Sequence, residues 1–270
     1  MWQHLPEYID PIALSIGPFK VHWYGVMYVL AFLTVYFLTS YRIRHEKSIY
    51  SEKLISDFLV FIAIGVLLGG RLGYVLFYDL EYFLSHPLNI VTPFTLEGGL
   101  QYIGIYGMSY HGGLIGVIIS ILVFCRKNKI DPWAFSDFVI PSMPLAYTFG
   151  RLGNFINSEL YGRVTNVPWG MYFSTDPTES FRHPSQLYEA FFEGIFLFLV
   201  FWTLRNNKGM KGKIFPAYLI GYGMVRFIIE FFREPDLHIG FLFGYFSMGQ
   251  ILCGGMIIAG LAILLIRKNI

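Results

Sequence analysis

Apolar runs long enough to cross a bilayer recur along nearly the whole chain, separated by polar breaks. About 20 predominantly apolar residues span the hydrocarbon core, and seven segments qualify: 19–40, 54–77, 107–124, 134–156, 186–204, 214–232 and 247–266. The pattern predicts an all-α polytopic membrane protein with seven transmembrane helices. Glycines and polar residues interrupt the front of the third segment, and Arg71 and Arg151 lie inside the second and fourth. Two longer breaks, 78–106 and 157–185, carry Pro, Gly, Asn and Thr and are expected to form small head or arm segments over the membrane. No internal repeat or second domain is visible, so residues 1–270 read as a single integral membrane domain. The missing repeat also weakens the case for an inverted-repeat transporter.

Composition agrees with that pattern. Of 270 residues, 55% are hydrophobic, 19% aromatic and only 14% charged, and the mean hydropathy is +0.53. These values lie beyond those of soluble domains. The N-terminal stretch lacks the basic and apolar regions of a cleavable signal and is expected to belong to the mature protein. Cys125 and Cys253 should lie at different depths, which argues against a disulfide between them. No metal-ligand spacing is present, so no metal is expected.

Basic residues fix an expected orientation. Arg42, Arg44, Lys47, Lys53, Arg126, Lys127, Lys129, Arg205, Lys208, Lys211, Lys213, Arg267 and Lys268 all fall on one side of the seven-span scheme. Lys20, Arg163, Arg182 and Arg233 fall on the other. By the excess of Lys and Arg on cytoplasmic loops, the N-terminus should lie outside and the C-terminus inside.

In that scheme polar groups from five spans converge in the outer half of the bilayer. At 1.5 Å per residue, Arg151 stands roughly 25 Å along its helix from the cytoplasmic end, with Arg71 as far along its own; Arg226 and Glu230 stand at roughly 17 and 24 Å. Tyr24 and His111 occupy the outer ends of two inward-running spans. Tyr222, Arg226 and Glu230 share a helical face, as do Arg151 and Asn154. A charge at mid-bilayer costs around 3 kcal/mol on insertion scales, so so many need a reason. Some reasons are structural: Arg71 snorkelling to headgroups, Arg226 paired with Glu230, Asn154 and Asn157 bonding between helices, His111 starting a helix. The functional alternative is an anionic phospholipid, because the arginine fork matches phosphate oxygens and stays charged when partly buried.

The same residues carry a family resemblance. "GRLGNFINSELYG" (150–162) resembles the signature of bacterial prolipoprotein diacylglyceryl transferases. "VHWYGVMY" (21–28), "YHGGLIG" (110–116), "RHPSQLYEA" (182–190) and "GYGMVRFIIEFFREPD" (221–236) resemble further family motifs, in the family's order. One stretch departs from the pattern: Ile105-Tyr106-Gly107 stands where the family shows an acidic or aromatic residue and two glycines. An upstream "EGGL" (97–100) looks like a displaced copy, suggesting a local insertion before His111.

The resemblance implies transfer of the diacylglyceryl group of phosphatidylglycerol to the lipobox cysteine thiol in a prolipoprotein signal peptide. A thioether forms and glycerol phosphate leaves. It implies a multi-pass enzyme of the bacterial inner membrane, its active site toward the outer leaflet. Membrane lipid and the prolipoprotein are the partners; no cofactor and no nucleic acid are implied. The family's essential positions fall on Tyr24, His111, Arg151, Asn154, Tyr222, Arg226 and Glu230. His111, Arg151, Arg226 and Glu230 are the expected catalytic residues, and Tyr24, Arg151, Asn154, Tyr222 and Arg226 the expected substrate-binding ones. Arg151 and Arg226 would grip the departing phosphate, Glu230 and Tyr222 would orient Arg226, and His111 would take the thiol proton. The catalytic sulfur belongs to the substrate, so neither cysteine of this chain is needed. The rival readings are an anionic-lipid transporter or flippase and a structural scaffold. The apolar cytoplasmic halves of spans one, three, five and seven count against a conduit.

Overall fold

The computed structural model describes residues 2–17, 19–92, 94–95, 101–102, 107–234, 241–242 and 245–267. The upstream "EGGL" (97–100), and Ile105 and Tyr106 of the departing stretch, lie outside the described residues. The helices are α1 (Leu5–Tyr8), α2 (Trp23–His45), α3 (Glu52–Phe77), α4 (Leu80–Ser85), α5 (Tyr110–Lys127), α6 (Pro132–Val139), α7 (Met143–Ile156), α8 (Ser185–Tyr188), α9 (Leu197–Leu204), α10 (Ile214–Ile229) and α11 (Met248–Arg267). Antiparallel pairs join β1 (Ile12–Ile16) to β2 (Phe19–His22), β3 (Phe94–Thr95) to β4 (Gln101–Tyr102) and β5 (Phe241–Leu242) to β6 (Phe246–Ser247).

Among the described residues, four helices are long and apolar enough to cross a membrane: α2, α3, the run Ser185–Leu204 and α11. Helix α10 is apolar but shorter. The chain is a multi-pass helical membrane protein. The segment expected as a regular fourth span is broken instead into α6, a 3-10 turn at Ile140–Ser142, and α7. Pro141 and Pro144 explain the break, since neither can donate a backbone hydrogen bond. Buried Arg42 donates to the carbonyls of Phe138 (2.7 Å) and Asp137 (3.2 Å), where that helix changes form.

The chain divides into two compact units, residues 43–132 and residues 1–42 with 133–270. In the first of these, α3 and α5 pack as a pair. Ser51 caps α3 by accepting from Leu54 N (3.2 Å), and Ser109 caps α5 by accepting from Gly112 N (3.2 Å). The contact is backbone to backbone: a Cβ on Gly73 would come within 2.6 Å of the Gly112 Cα. Close approach of this kind needs residues without side chains, and it fixes the α5 turn that carries His111.

In the other unit, Ser185–Leu204 is continuous but not regular, with π-helical Glu189–Phe196 between α8 and α9. Such stretches free backbone carbonyls and cluster at functional sites. Here the Ala190 carbonyl accepts from Thr148 Oγ1 of α7 (3.1 Å). Segment 157–184 folds on itself through Gly162 N to His183 O (2.8 Å), Thr165 N to Phe181 O (2.8 Å) and Met171 N to Arg182 O (2.8 Å). Phe155, Met171 and Phe173 form its apolar centre. The N-terminus docks on it, with Tyr172 N donating to Gln3 O and Ser158 Oγ donating to Pro6 O, both at 2.9 Å.

Candidate functional site

Three helical segments of the larger unit bring their charges together. Arg151 comes from α7, Glu189 and Glu193 from the π-helical stretch, and Arg226 and Glu230 from the end of α10. Glu189 Oε2 lies 2.9 Å from Arg151 Nε and 2.9 Å from Arg226 Nη1, bridging the two guanidiniums. Arg226 Nη1 also meets Glu193 Oε1 at 3.3 Å, and its Nη2 meets Glu230 Oε2 at 3.2 Å. Glu189 and Glu193 are completely buried. Two guanidiniums whose like charges would repel are thus held side by side by a carboxylate between them.

Neutral groups complete the frame. Tyr147 Oη accepts from Arg151 Nε (2.6 Å) and is hydrogen-bonded to Glu193 Oε2 (2.6 Å). Arg151 Nη1 donates to Asn154 Oδ1 (3.2 Å), whose Nδ2 donates to Glu159 Oε1 (2.8 Å). Ser247 Oγ donates to Glu230 Oε1 (3.1 Å). Gly249 gives that carboxylate its place, for a Cβ there would stand 2.5 Å from Glu230 Oε1. Arg151 is the more open of the two arginines, its side chain 19% exposed against 9% for Arg226.

Of the seven residues expected from sequence, six lie in this unit. Arg151, Asn154, Arg226 and Glu230 join the network directly. Tyr222 packs edge-on against Tyr147, with ring centroids 5.9 Å apart. Tyr24 lies over Gly153, where a Cβ would meet its Cδ2 at 2.9 Å, and its hydroxyl is 3.3 Å from that of Tyr28. His111 belongs to the other unit, where it is exposed in the first turn of α5.

Arg71 also lies in that other unit and has structural work there. Its guanidinium donates to the carbonyls of Asn89 (2.5 Å), Ile90 (2.9 Å) and Gly107 (3.3 Å) and sits over the Phe83 ring. It clasps the chain that follows α4 rather than only snorkelling.

Glu189, Glu193 and Tyr147 were not among the residues expected from sequence. Their signal was present: "YEAFFEG" sets two glutamates four apart inside an apolar run, and buried carboxylates there require cationic partners.

A second ion-pair cluster lies outside the spans. Arg182 Nε donates to Asp176 Oδ2 (2.7 Å), and its Nη1 donates to Glu234 Oε2 (3.0 Å). Burial works to raise the Asp176 carboxyl, but hydrogen bonds from Arg182 and Thr178 outweigh it and bring it down to about 2. This cluster ties the 157–184 segment to the chain beyond α10. His183 sits in the same segment, and burial lowers its imidazole below the usual range.

The fold and cluster define a multi-pass membrane protein with a buried arginine–carboxylate centre, one arginine partly open. Residues 11–266 match the family described as prolipoprotein diacylglyceryl transferase. The chain is 53% identical over 269 residues to a phosphatidylglycerol–prolipoprotein diacylglyceryl transferase of Chlorobaculum tepidum, covering 99% of this chain and 93% of that protein. Relatives bearing the same name are 46% identical in Campylobacter jejuni, covering 99% of this chain and 97% of the relative, and 43% identical in Campylobacter lari, covering 100% and 97%. The chain belongs to the prolipoprotein diacylglyceryl transferase family.

Proposed function

We infer that this protein transfers the diacylglyceryl group of phosphatidylglycerol to the lipobox cysteine thiol of prolipoproteins, the reaction named for its relatives. The observation that carries the reading at residue level is the arginine pair bridged by Glu189. The thiol sulfur attacks the glycerol carbon bonded to phosphate oxygen. That C–O bond breaks, its electron pair goes to the phosphate, and glycerol phosphate departs.

Charge therefore builds on the leaving phosphate, and fixed positive charge aimed there lowers the barrier. Arg151, the more open arginine, meets the phosphate first. Arg226 backs it, held by Glu189, Glu193 and Glu230 so that its fork does not reorganise during the reaction. Asn154 orients Arg151, Tyr222 packs the Tyr147 hydrogen-bonding frame, and Tyr24 borders the turn carrying Gly153. His111 takes the thiol proton and later loses it to water; no cofactor takes part.

The whole chain, 1–270, acts as one domain of the bacterial inner membrane, crossing it seven times with the N-terminus outside. The basic residues support that orientation, and segments 78–106 and 157–185 would then form the head over the outer leaflet. The test uses purified protein in detergent, phosphatidylglycerol labelled in its headgroup glycerol, and a lipobox peptide. Release of labelled glycerol phosphate with the cysteine peptide, and none with its Cys→Ser form, is the expected result. Lipid binding or movement across a bilayer without release, in folded protein, would replace the transferase with the transporter reading.

A further inference from the structure

The buried cluster holds two guanidiniums, Arg151 and Arg226, and three carboxylates, Glu189, Glu193 and Glu230. With every group ionised it would carry excess negative charge, which is costly to bury and opposes an incoming anionic phosphate. The ionisable groups facing Glu193 are Tyr147 and Arg151 of α7, Tyr222 and Arg226 of α10, Cys253 of α11, and Glu189 on its own helix. None of the neutral ones supplies the missing positive charge.

The geometry shows where a proton fits. Tyr147 has one hydroxyl proton but two carboxylate oxygens in reach, Glu193 Oε2 at 2.6 Å and Glu189 Oε2 at 3.4 Å. It already accepts from Arg151 Nε. A proton on Glu193 Oε2 satisfies all three: the carboxyl donates to Tyr147, Tyr147 donates to Glu189, and Arg151 fills the remaining lone pair. Glu189 Oε2 meets two guanidiniums at 2.9 Å, and Glu230 meets Arg226 at 3.2 Å and accepts from Ser247 Oγ. Glu193 makes the longest contact to Arg226, 3.3 Å.

We propose that Glu193 is a positioning residue that holds one proton when lipid is bound, so that Arg226 and Arg151 present enough positive charge to keep a singly charged phosphodiester. This rests on the reading of the two arginines as the phosphate clamp. An ionised Glu193 competes for Arg226 Nη1 and repels the phosphate; a neutral one does neither. Lipid binding and Glu193 protonation are therefore linked. Above the pH at which lipid-free Glu193 loses its proton, affinity falls about tenfold per pH unit.

The test is calorimetric titration of the full-length protein in detergent with a short-chain phosphatidylglycerol, from pH 6 to 10, in buffers of different ionisation enthalpy. The expected result is uptake of about one proton per lipid on the alkaline side, with affinity falling in step. In E193Q the remaining affinity should lose that slope and the proton uptake should vanish. Wild-type binding that takes up no proton anywhere in the range, or a slope that persists in E193Q, overturns the proposal while leaving the clamp intact. Wild type that does not bind the lipid overturns the clamp itself. Absence of proton uptake in the wild type overturns the proposal even if E193Q does not fold.

Discussion

At the scale of single residues, Glu189 is the group on which the site's geometry turns. It is fully buried and shared by both arginines, so removing it leaves two like charges facing each other out of water. Removing one partner of a buried ion pair costs about 3–5 kcal/mol. Glu189→Ala is therefore expected to lower the thermal midpoint in detergent markedly and to abolish transfer, whereas Glu159→Ala, at the partly exposed edge, should cost far less. Equal midpoints for the two variants would remove Glu189 from its bridging role. Arg151, Asn154, Arg226 and Glu230 could be read from the sequence because a charge or amide inside an apolar run is expensive and demands a reason. Glu189 and Glu193 obeyed the same rule. They sit just inside the expected start of a span, where a carboxylate passes as a boundary residue. Their burial depends on partners that come from segments distant in sequence.

At the scale of elements, small residues and breaks in helical regularity put those side chains in place. Gly249 on α11 leaves the space that the Glu230 carboxylate occupies. Gly249→Ala is expected to push Glu230 away from Arg226 and reduce transfer by roughly 10–100-fold with folding retained, an effect on the order of 1.4–2.7 kcal/mol in barrier. Unchanged turnover would show that Glu230 need not sit where it does.

The 157–184 segment carries its own pH dependence. The Asp176 carboxyl is brought from its ordinary range near 4 down to about 2 when folded. A depressed carboxyl contributes stability above its unfolded value and loses it as pH falls through the folded one. Protease resistance of this segment should therefore hold at pH 5 and decline between about pH 4 and pH 2. Asp176→Asn should lack that contribution already at neutral pH, and a decline unaltered in Asp176→Asn would refute the assignment. The long helices were legible from hydrophobic run length alone. The π-helical stretch was not, because hydrophobic periodicity does not encode the register of the backbone hydrogen bonds. The break at Pro141 and Pro144 was written in the sequence, yet the run around it is apolar enough to read as one span.

At the scale of the whole molecule, composition and the recurrence of apolar runs identified a multi-pass helical membrane protein before any contact was known, and the motif order pointed to its family. The ion-pair geometry was beyond the sequence, because motif residues were legible only as neighbours along the chain. Arg71 illustrates the difference. Its depth resembled that of the site arginines, but its bonds to three backbone carbonyls give it a structural place in the smaller unit. In the proposed reaction the arginine pair of the larger unit holds the departing phosphate. The most direct test is the single-turnover rate of glycerol phosphate release by Arg151→Ala, with lipid and lipobox peptide saturating and folding checked by thermal midpoint. A loss of at least about 100-fold is expected, as when a group stabilising transition-state charge is removed, in protein that remains folded. Release at the wild-type rate from folded Arg151→Ala would contradict it.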